Sequence, residues 1–351
     1  MVAVGIIGGG IQGVDHIKGL MAAGAKIQAI AEPRPERRAE VQQKFEIPRA
    51  FSSAEEMIAQ GGLDAVGICT PNFLHASQTI LALENGLHVL CEKPMAMNAA
   101  ECVAMMQAEE KSGKILMPAF NQLFDWGIES IIRLQREGAL GDIYHARTTQ
   151  VRMMGAHSSR EPNSWFRNRA QAGAGVAFDL GAHAIYRAWF CMGRPMPVSV
   201  TGSAVARIVD GDVDDFATAM IRFGNGATML VEVGWETNRT DGGKRTLIMG
   251  TKAGAEFIKT DGRNGVQQLT LVERNGLDAV ASELPSEKAQ ESTKYRHFVE
   301  CIEQGLSPRC SSYDGYVIQA MLDALVLSSS TGMQQKVHLV PQLCVSTSLE
   351  A

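Results

Sequence analysis

A glycine-rich turn near the start of the sequence limits what this chain can fold into. An apolar run from Val2 to Ile7 ends in three glycines spaced G-x-G-x-x-G, namely Gly8, Gly10 and Gly13. This spacing is typical of a buried strand that turns into a helix around a dinucleotide pyrophosphate, because glycine permits both the tight turn and the close approach of phosphates. The N–H groups at the start of the new helix attract phosphate charge, and these belong to Ile11, Gln12 and Gly13.

The next strand supports a dinucleotide site. It runs from Lys26 to Ala31 and ends on Glu32, about 20 positions after Gly13, where a carboxylate meets the ribose hydroxyls. Glu32 would repel a ribose 2′-phosphate, which favours NAD. Three arginines follow and could hold that phosphate, so NADP stays an alternative: Arg34, Arg37 and Arg38. The alternatives without a cofactor are that the glycine turn binds no ligand and that the arginines are solvent-exposed residues at the start of a helix.

Composition narrows the class of protein. The 351 residues suffice for two domains, and 45% hydrophobic with 20% charged residues is ordinary for a globular protein. A net charge of -5 argues against nucleic acid and anionic membranes as partners, and no apolar run is long enough to span a bilayer. We therefore expect a cytoplasmic protein. The seven cysteines are scattered without a C-x-x-C pair, so we expect reduced thiols and no metal.

Residues 1–122 alternate short apolar strands with amphipathic helices, which predicts a doubly wound parallel sheet. Ligands of such sheets bind at the carboxyl ends of the strands. Several polar segments fall at these ends, and we predict that they contact the cofactor: Thr70, Pro71, Asn72, His75, Glu92, Lys93 and Asn121. Residues 1–122 are therefore predicted to form an NAD(P)-binding Rossmann domain.

Residues 123–351 show a different pattern, in which strands follow one another without intervening helices. The turn Phe223-Gly224-Asn225-Gly226 is a hairpin signal between two of them. This pattern predicts an α+β domain with an antiparallel sheet, which would bind the substrate and make oligomer contacts. Two helices near the end, 292–304 and 313–330, are predicted to pack on that sheet.

Three residues are candidates for the chemistry. Lys93, at a strand end before a proline, could stabilise an alkoxide as it forms on a substrate; a surface lysine is the alternative. Asp179 and His183 lie one helical turn apart, so the carboxylate could orient the imidazole for proton transfer. The alternatives are a helix cap at Asp179, a buried histidine, and a metal site with only two ligands.

Taken together, the glycine turn, Glu92-Lys93-Pro94 and the D-x-G-x-H of Asp179, Gly181 and His183 resemble the Gfo/Idh/MocA oxidoreductase family, named after glucose-fructose oxidoreductase and inositol dehydrogenase. The resemblance covers nearly the whole chain. It implies a Rossmann domain followed by a domain with a large open sheet that is often buried in dimers or tetramers. It also implies hydride transfer between nicotinamide and a sugar or polyol, with Lys93 on the reacting hydroxyl and Asp179 with His183 as the acid/base dyad. A cis bond at Lys93-Pro94 is usual.

The sequence departs from that family at three positions. Many members have an acid where this chain has Tyr186, an arginine where it has Gln122, and an aspartate where it has Glu32. These departures are compatible with the redox chemistry of the family, but the family's polyol contacts are not expected to carry over unchanged.

A stretch rich in arginine lies between a predicted strand and the dyad. It could stack a sugar on Trp165 and bind an acidic or hydroxylated group, or it could be a charged loop rim. Its candidate residues are Arg152, His157, Arg160, Trp165, Arg167 and Arg169. Of these, Arg152, Trp165 and Arg167 join Lys93, Asn121, Asp179 and His183 as predicted substrate contacts. Trp235 is predicted to lie in the core or at a subunit interface.

Three functions are consistent with these observations. The first is an NAD(P)-dependent dehydrogenase that acts on a secondary alcohol of a sugar, glycoside or inositol. The second uses the same oxidation to start elimination of a glycosidic group, with NAD regenerated in each cycle. The third is a regulator that binds cofactor and sugar without turnover. For all three we expect a homodimer or homotetramer, because an open sheet needs a partner to cover it.

Overall fold

A computed structural model describes residues 1–153, 164–238, 242–260, 266–275, 278–284 and 293–340 of the chain. The fold consists of two compact units. The first contains Met1–Phe120 and Ser292–Gln319, and the second contains Asn121–Glu291 and Ala320–Leu339. The sequence-based division into residues 1–122 and 123–351 stays a prediction about domains; the compact units differ from it chiefly in the segment that starts at Ser292.

The first unit is built on a six-stranded parallel sheet with the strand order β3-β2-β1-β4-β5-β6. Strands and helices alternate along the chain, as predicted, because each parallel strand needs a crossover to reach the same edge of the sheet. The elements are β1 Ala3–Ile7, α1 Ile11–Ala22, β2 Lys26–Ala31, α2 Pro35–Lys44, β3 Arg49–Phe51, α3 Ala54–Ala59, β4 Ala65–Ile68, α4 His75–Glu84, β5 His88–Cys91, α5 Ala99–Ser112 and β6 Leu116–Pro118.

The second unit is built on a nine-stranded sheet with the order β14-β13-β12-β11-β7-β10-β9-β8-β15. All neighbouring strands are antiparallel except β10 and β7, so the prediction of a large, mainly antiparallel sheet is confirmed. Its elements are α6 Trp126–Arg136, β7 Ile143–Met153, α7 Arg169–Ala172, α8 Val176–Cys191, β8 Pro197–Val205, β9 Phe216–Phe223, β10 Thr228–Thr237, β11 Gly243–Gly250, β12 Ala253–Thr260, β13 Gln267–Asn275, β14 Asp278–Leu284 and, near the C-terminus, β15 Gln335–Lys336.

The C-terminal helices α9 Lys294–Gln304 and α10 Ser312–Thr331 do not both lie where the sequence predicted them. Helix α10 does reach the second sheet, where the Ser328 hydroxyl accepts a hydrogen bond from the Gly202 amide at 3.0 Å. Helix α9 instead packs in the first unit, with Phe298 and Val299 in the apolar core beside Val4 and Ile17. The prediction for α9 was wrong because its amphipathic pattern shows which face is buried, but does not show which sheet covers that face.

Within the described residues, no helix combines the length and the apolar character needed to cross a membrane. None of the six described cysteines forms a disulfide, and Cys344 lies outside the described residues.

Candidate functional site

The glycine turn has the geometry that a dinucleotide pyrophosphate requires. Gly8 adopts a φ of 97°, and a Cβ on it would lie 2.7 Å from the carbonyl oxygen of Cys69. A Cβ on Gly13 would lie 1.9 Å from the carbonyl oxygen of Gly8, so only glycine lets α1 start this close to β1. A Cβ on Gly10 would have no atom of the described residues within 4 Å, so the backbone there borders open space. Gly8 and Gly13 are therefore required by the fold, whereas Gly10 leaves room for a ligand.

The start of α1 can receive an anion. Gly10 is the N-cap, and within this fully described helix no side chain caps the N-terminus and the first turn carries no acid. Ile11 and Gln12 are exposed at the start of the helix. The N–H groups of this turn thus face the open space beside Gly10, which fits the diphosphate of NAD or NADP.

Glu32 lies at the end of β2, where its carboxylate faces the glycine turn. One oxygen accepts the Gly9 N–H at 2.8 Å, and the other accepts Arg34 Nε at 2.8 Å. Burial alone would raise the pKa of Glu32, but the hydrogen bonds from Arg34 and Gly9 outweigh burial and lower that pKa, so the group is ionised at neutral pH. Arg34 is thereby paired, although its side chain is 64% exposed.

The other two arginines after β2 are tied to the protein backbone. Arg37 Nε donates to the Gly9 carbonyl at 2.6 Å, and Arg38 Nη1 donates to the Glu32 carbonyl at 2.7 Å. Both cations therefore stabilise the loop beside the adenosine end of the predicted cofactor.

The loops after β4 and β5 are joined by a buried histidine. The two ring nitrogens of His75 lie 2.9 Å from the carbonyl oxygens of Thr70 and Pro94. Its side chain therefore links the Thr70-Pro71-Asn72 loop to the Glu92-Lys93-Pro94 loop. The Lys93-Pro94 bond is cis, as the family resemblance implies, and Lys93 is half-buried. Direct contacts of Thr70, Pro71, Asn72 and His75 with the cofactor stay predictions.

Glu92 is at the centre of a buried network that the sequence did not reveal. One of its oxygens lies 2.8 Å from His16 Nε2 and 2.6 Å from Lys294 Nζ, and its other oxygen accepts the Lys93 N–H at 3.2 Å. Burial would raise the pKa of Glu92, but the charge of Lys294 and the hydrogen bond from His16 hold it well below its usual range. The carboxylate thus ties the Lys93 loop to α1 and α9; its predicted contact with the cofactor stays a prediction.

The second unit carries the predicted acid/base residues on α8. Asp179 is buried, and its Oδ2 accepts the Trp235 Nε1–H at 2.8 Å and lies 3.9 Å from Arg152 Nη1. Gly175 is the N-cap of α8, so the alternative of a cap at Asp179 is wrong. Trp235 is fully buried, in line with its predicted core position, and it also orients the carboxylate of Asp179.

His183 has an unexpected partner. Its Nδ1 lies 2.9 Å from the hydroxyl of Tyr186, the position where many family members have an acid. The same hydroxyl accepts the Gln122 N–H at 3.0 Å and lies 3.3 Å from Asn121 Oδ1. The sequence predicted that Asp179 orients His183. Asp179 and Tyr186 each lie about one turn from His183 on the same face of α8, and the Nδ1 of His183 is directed at Tyr186. The backbone of Gln122 and the side chain of Tyr186, two positions at which the sequence departs from the family pattern, therefore meet at one contact.

Arg187 is a buried cation beside this cluster. Its guanidinium donates to the side-chain oxygens of Gln122 and Gln150, to the Thr246 hydroxyl at 2.6 Å and to the Thr148 hydroxyl at 3.0 Å. Burial lowers the pKa of Arg187 to about 10, so it stays charged at neutral pH. Sequence reasoning missed it, because nothing local marks an apolar helix position as the site of a buried charge.

The arginine-rich stretch is described only in part, since His157 and Arg160 lie outside the described residues. Trp165 stacks on Phe166 with ring centroids 4.0 Å apart. Arg169 binds Asp212 through its backbone N–H at 2.7 Å, which fits a structural role at the loop rim. The Nε of Arg167 is buried and has no hydrogen-bond partner among the residues that the structure describes. Contacts of Arg152, Trp165 and Arg167 with substrate stay predictions.

Comparison with known proteins agrees with the geometry of both units. Residues 2–120 match the family model described as "Oxidoreductase family, NAD-binding Rossmann fold", and residues 128–256 match the "GFO/IDH/MocA C-terminal domain". Together these matches span more than half of the sequence. The chain belongs to the Gfo/Idh/MocA oxidoreductase family, which confirms the resemblance noted in the sequence.

Relatives within the family include sugar dehydrogenases. The levoglucosan dehydrogenase of Pseudarthrobacter phenanthrenivorans is 32% identical over 259 residues, which cover 65% of this chain and 66% of that protein. The D-glucoside 3-dehydrogenase of Escherichia coli is 26% identical and is matched over 88% of this chain and 89% of its own length. A solved structure of levoglucosan dehydrogenase in complex with NADH superposes with a TM-score of 0.86 at 26% identity, covering 97% of this chain and 100% of that one.

Proposed function

We propose that this protein is an NAD-dependent dehydrogenase that oxidises a secondary alcohol of a sugar, glycoside or inositol. The observation that carries the proposal is the half-buried His183, whose Nδ1 is held by Tyr186 so that the other ring nitrogen can act as a base. The names of the relatives, which are dehydrogenases of levoglucosan and of D-glucosides, support the substrate class.

The cofactor is NAD rather than NADP, with Glu32 as the selecting residue. Its carboxylate is ionised and buried at the end of β2, so a ribose 2′-phosphate would meet a negative charge. The residues that would hold the cofactor are Gly8, Gly10 and the start of α1 at the diphosphate, and Glu32 at the ribose. NADP would require Arg34 to leave Glu32 and turn to the phosphate.

The chemistry divides between three side chains. The nicotinamide, when bound, supplies the acceptor for the hydride that leaves the carbinol carbon. Lys93 donates a hydrogen bond to the reacting hydroxyl and stabilises the negative charge that develops on its oxygen. His183 accepts the hydroxyl proton at Nε2. Asp179, oriented by Trp235, places negative charge on the same face of α8 and favours the protonated ring.

A spectrophotometric assay tests the proposal. The purified protein is mixed with NAD or NADP and with inositols, sugars, sugar acids and glycosides, and reduced nicotinamide is followed. We expect turnover with NAD and one substrate class, and a decrease in kcat of about 10²- to 10⁴-fold in His183→Ala. Product analysis distinguishes simple dehydrogenation from the redox-assisted elimination. Net cleavage of a glycoside without accumulation of reduced cofactor would indicate the elimination.

A matched control is available on the second sheet. His145 is also half-buried and bonded to a hydroxyl, that of Thr228 at 2.8 Å, but it lies on β7. His145→Ala should leave kcat unchanged. Equal losses in the two variants, or unchanged turnover in His183→Ala, would overturn the assignment. Binding of cofactor and sugar without turnover of any substrate would indicate the regulator.

We also propose a homodimer or homotetramer in which the second sheet is covered by another copy. Met220 on β9 and Leu230 on β10 lie directly opposite each other and are 38% and 41% exposed. These neighbouring apolar side chains support the proposal, because contiguous apolar surface on a sheet is often covered by another protein. The mass of the particle in solution tests this proposal.

A further inference from the structure

Three cations of the second unit are grouped around one carboxylate. Asp125, the N-cap of α6, lies 2.6 Å from Lys244 Nζ on β11 and 3.1 Å from Lys259 Nζ on β12. The two lysines lie directly opposite each other in the register of these strands. The third cation is Arg187 on α8; burial lowers its pKa, and the charge of Asp125 opposes that shift. We call these four residues the cation cluster.

The cation cluster holds an excess of positive charge where little water can reach it. The Lys244 side chain is only 14% exposed, Asp125 is similarly shielded, and Arg187 is fully buried. Among the residues that the structure describes, Asp125 is the one acid paired with either lysine, so three positive charges face one negative charge. Burial lowers the pKa of Lys244 to about 8 although Asp125 opposes the shift, and the charge of Arg187 lowers it further. A further anion would balance the cluster.

The strand register places the cation cluster beside the predicted acid/base residues of α8. On β7, Gln150 lies directly opposite Lys244, and its Oε1 accepts from Arg187 at 2.9 Å. Arg152 is two residues further along β7 and therefore on the same face, where its guanidinium lies 3.9 Å from Asp179. Arg152 and Lys244 are thus diagonal neighbours, about 7–8 Å apart. An extended sugar molecule held at Asp179 can therefore reach the cluster.

An aromatic side chain lies next to the cation cluster. Trp126 directly follows Asp125, is half-buried, and donates from Nε1 to Gln267 Oε1 at 3.1 Å. Gln267 lies opposite Lys259 in the register of β12 and β13. Trp126 is therefore placed at the edge of the cluster, where its ring can pack against the apolar face of a sugar while the lysines bind a charged group of the same molecule.

We propose that the cation cluster binds an anionic group of the substrate, so that the substrate is a sugar carrying a carboxylate or a phosphate. This inference rests on the proposed function, because it names the class of sugar that the same site accepts. Lys244 and Lys259 pair with the anionic group, and the charge of Arg187 attracts it. The carbinol that reacts lies elsewhere on the sugar, so the cluster takes no part in hydride or proton transfer.

Isothermal titration of the full chain with NADH bound tests the inference without any turnover. The ligands are D-glucose, D-galactose and D-mannose, each compared with its 6-carboxylate and its 6-phosphate. We expect a charged form to bind at least about tenfold more tightly than the neutral sugar of its series, the equivalent of one charged hydrogen bond. A preference for the carboxylate identifies a sugar acid, and a preference for the phosphate identifies a sugar phosphate. Binding of no charged form more tightly than its neutral sugar would overturn the inference.

Variants of the lysines locate the binding site. Lys259→Gln removes one positive charge but leaves Asp125 paired with Lys244, so we expect the fold to be retained. It should weaken binding of the charged sugar about tenfold and leave binding of the neutral sugar unchanged. Lys252→Gln is the matched control, because Lys252 lies in the turn between the same strands and donates to the Gly138 carbonyl at 3.2 Å. Equal losses in the two variants, or for both forms of the sugar, would contradict the role of the cluster.

The titration and the spectrophotometric assay can fail independently. If the protein prefers a charged sugar but reduces no NAD with it, the cation cluster keeps its role and the dehydrogenase is wrong. If the protein oxidises neutral sugars and binds their charged forms no better, the dehydrogenase stands and the role of the cluster is overturned.

Discussion

Lys294 in the first unit and Arg187 in the second are both buried cations, but the protein stabilises them in different ways. Lys294 lies 2.6 Å from the carboxylate of Glu92, so its charge is balanced by an opposite charge. The hydrogen bonds of Arg187 run to hydroxyl, amide and backbone oxygens within the described residues, and none of these acceptors is charged.

The difference shows what each cation requires of its surroundings. An ammonium is a compact charge that a single carboxylate can balance, whereas a guanidinium spreads its charge over five N–H groups that many dipoles can solvate. Removing Lys294 therefore takes away the cation that balances the buried carboxylate of Glu92. Removing Arg187 leaves polar groups that are uncharged and can bond to one another. The comparison predicts a larger stability loss in the first unit.

The largest effect is expected for Lys294→Met. The carboxylate of Glu92 would stay buried with its hydrogen bonds to His16 and the Lys93 N–H but without the Lys294 cation, and breaking such an ion pair costs about 3–5 kcal/mol of unfolding free energy. Urea unfolding measures the loss. Lys294→Met with Glu92→Gln removes both charges and should recover much of it, since the amide can still bond to His16. If the double variant is no more stable than Lys294→Met, the Glu92 carboxylate is not the cause of the stability loss.

A smaller effect is expected for Arg187→Met. The variant leaves the oxygens of Gln122, Gln150, Thr148 and Thr246 without their donor, at a cost of about 1–3 kcal/mol. Gln122 Nε2 already lies 3.3 Å from Gln150 Oε1, so part of the network can close on itself. The same urea experiment measures this loss. A loss larger than that of Lys294→Met would contradict the comparison.

The smallest expected effect is the pH dependence of the unfolding free energy that arises from His16. Burial, followed by the charge of Lys294, lowers the pKa of His16 below its usual 6.5. Below about pH 6.5, His16 is protonated in the unfolded chain but stays neutral in the folded protein. The free energy of unfolding therefore decreases as the pH falls, by at most about 1.4 kcal/mol per pH unit.

Unfolding curves between pH 7.5 and 5.5 measure this slope, and His16→Gln should reduce it by the contribution of one group. Arg187→Met is the matched control, because the pKa of Arg187 is about 10 and it does not titrate in this range. An equal change of slope in both variants would show that His16 is not the responsible group.

Local patterns were sufficient to predict the first sheet and the glycine turn. Strand β2 was predicted at Lys26–Ala31 and is found there, because a short apolar run between polar helices has a single reasonable interpretation. The cis bond at Lys93-Pro94 and the family of the chain followed from motifs. These features depend on residues that are close together in the sequence.

The networks around Glu92 and His183 could not be predicted, because their members are far apart in the sequence. Lys294 pairs with a residue about 200 positions away, and no local signal names its partner. Strand β12, Ala253–Thr260, carries only a weak strand pattern in the sequence, because glycine and alanine dilute its alternation of buried residues such as Ala255 and Phe257. Tyr186 was recognised as unusual, but only the structure shows that its hydroxyl lies beside His183 Nδ1.

The return of α9 to the first unit has a consequence for the order in which the protein can form on the ribosome. Phe298 and Val299 complete the core around Val4 and Ile17, and Lys294 balances Glu92. When residue 122 has emerged, the nascent first unit still has an open core and an uncompensated carboxylate. Its completion must wait until about 180 further residues, including the whole second sheet except β15, have been synthesised.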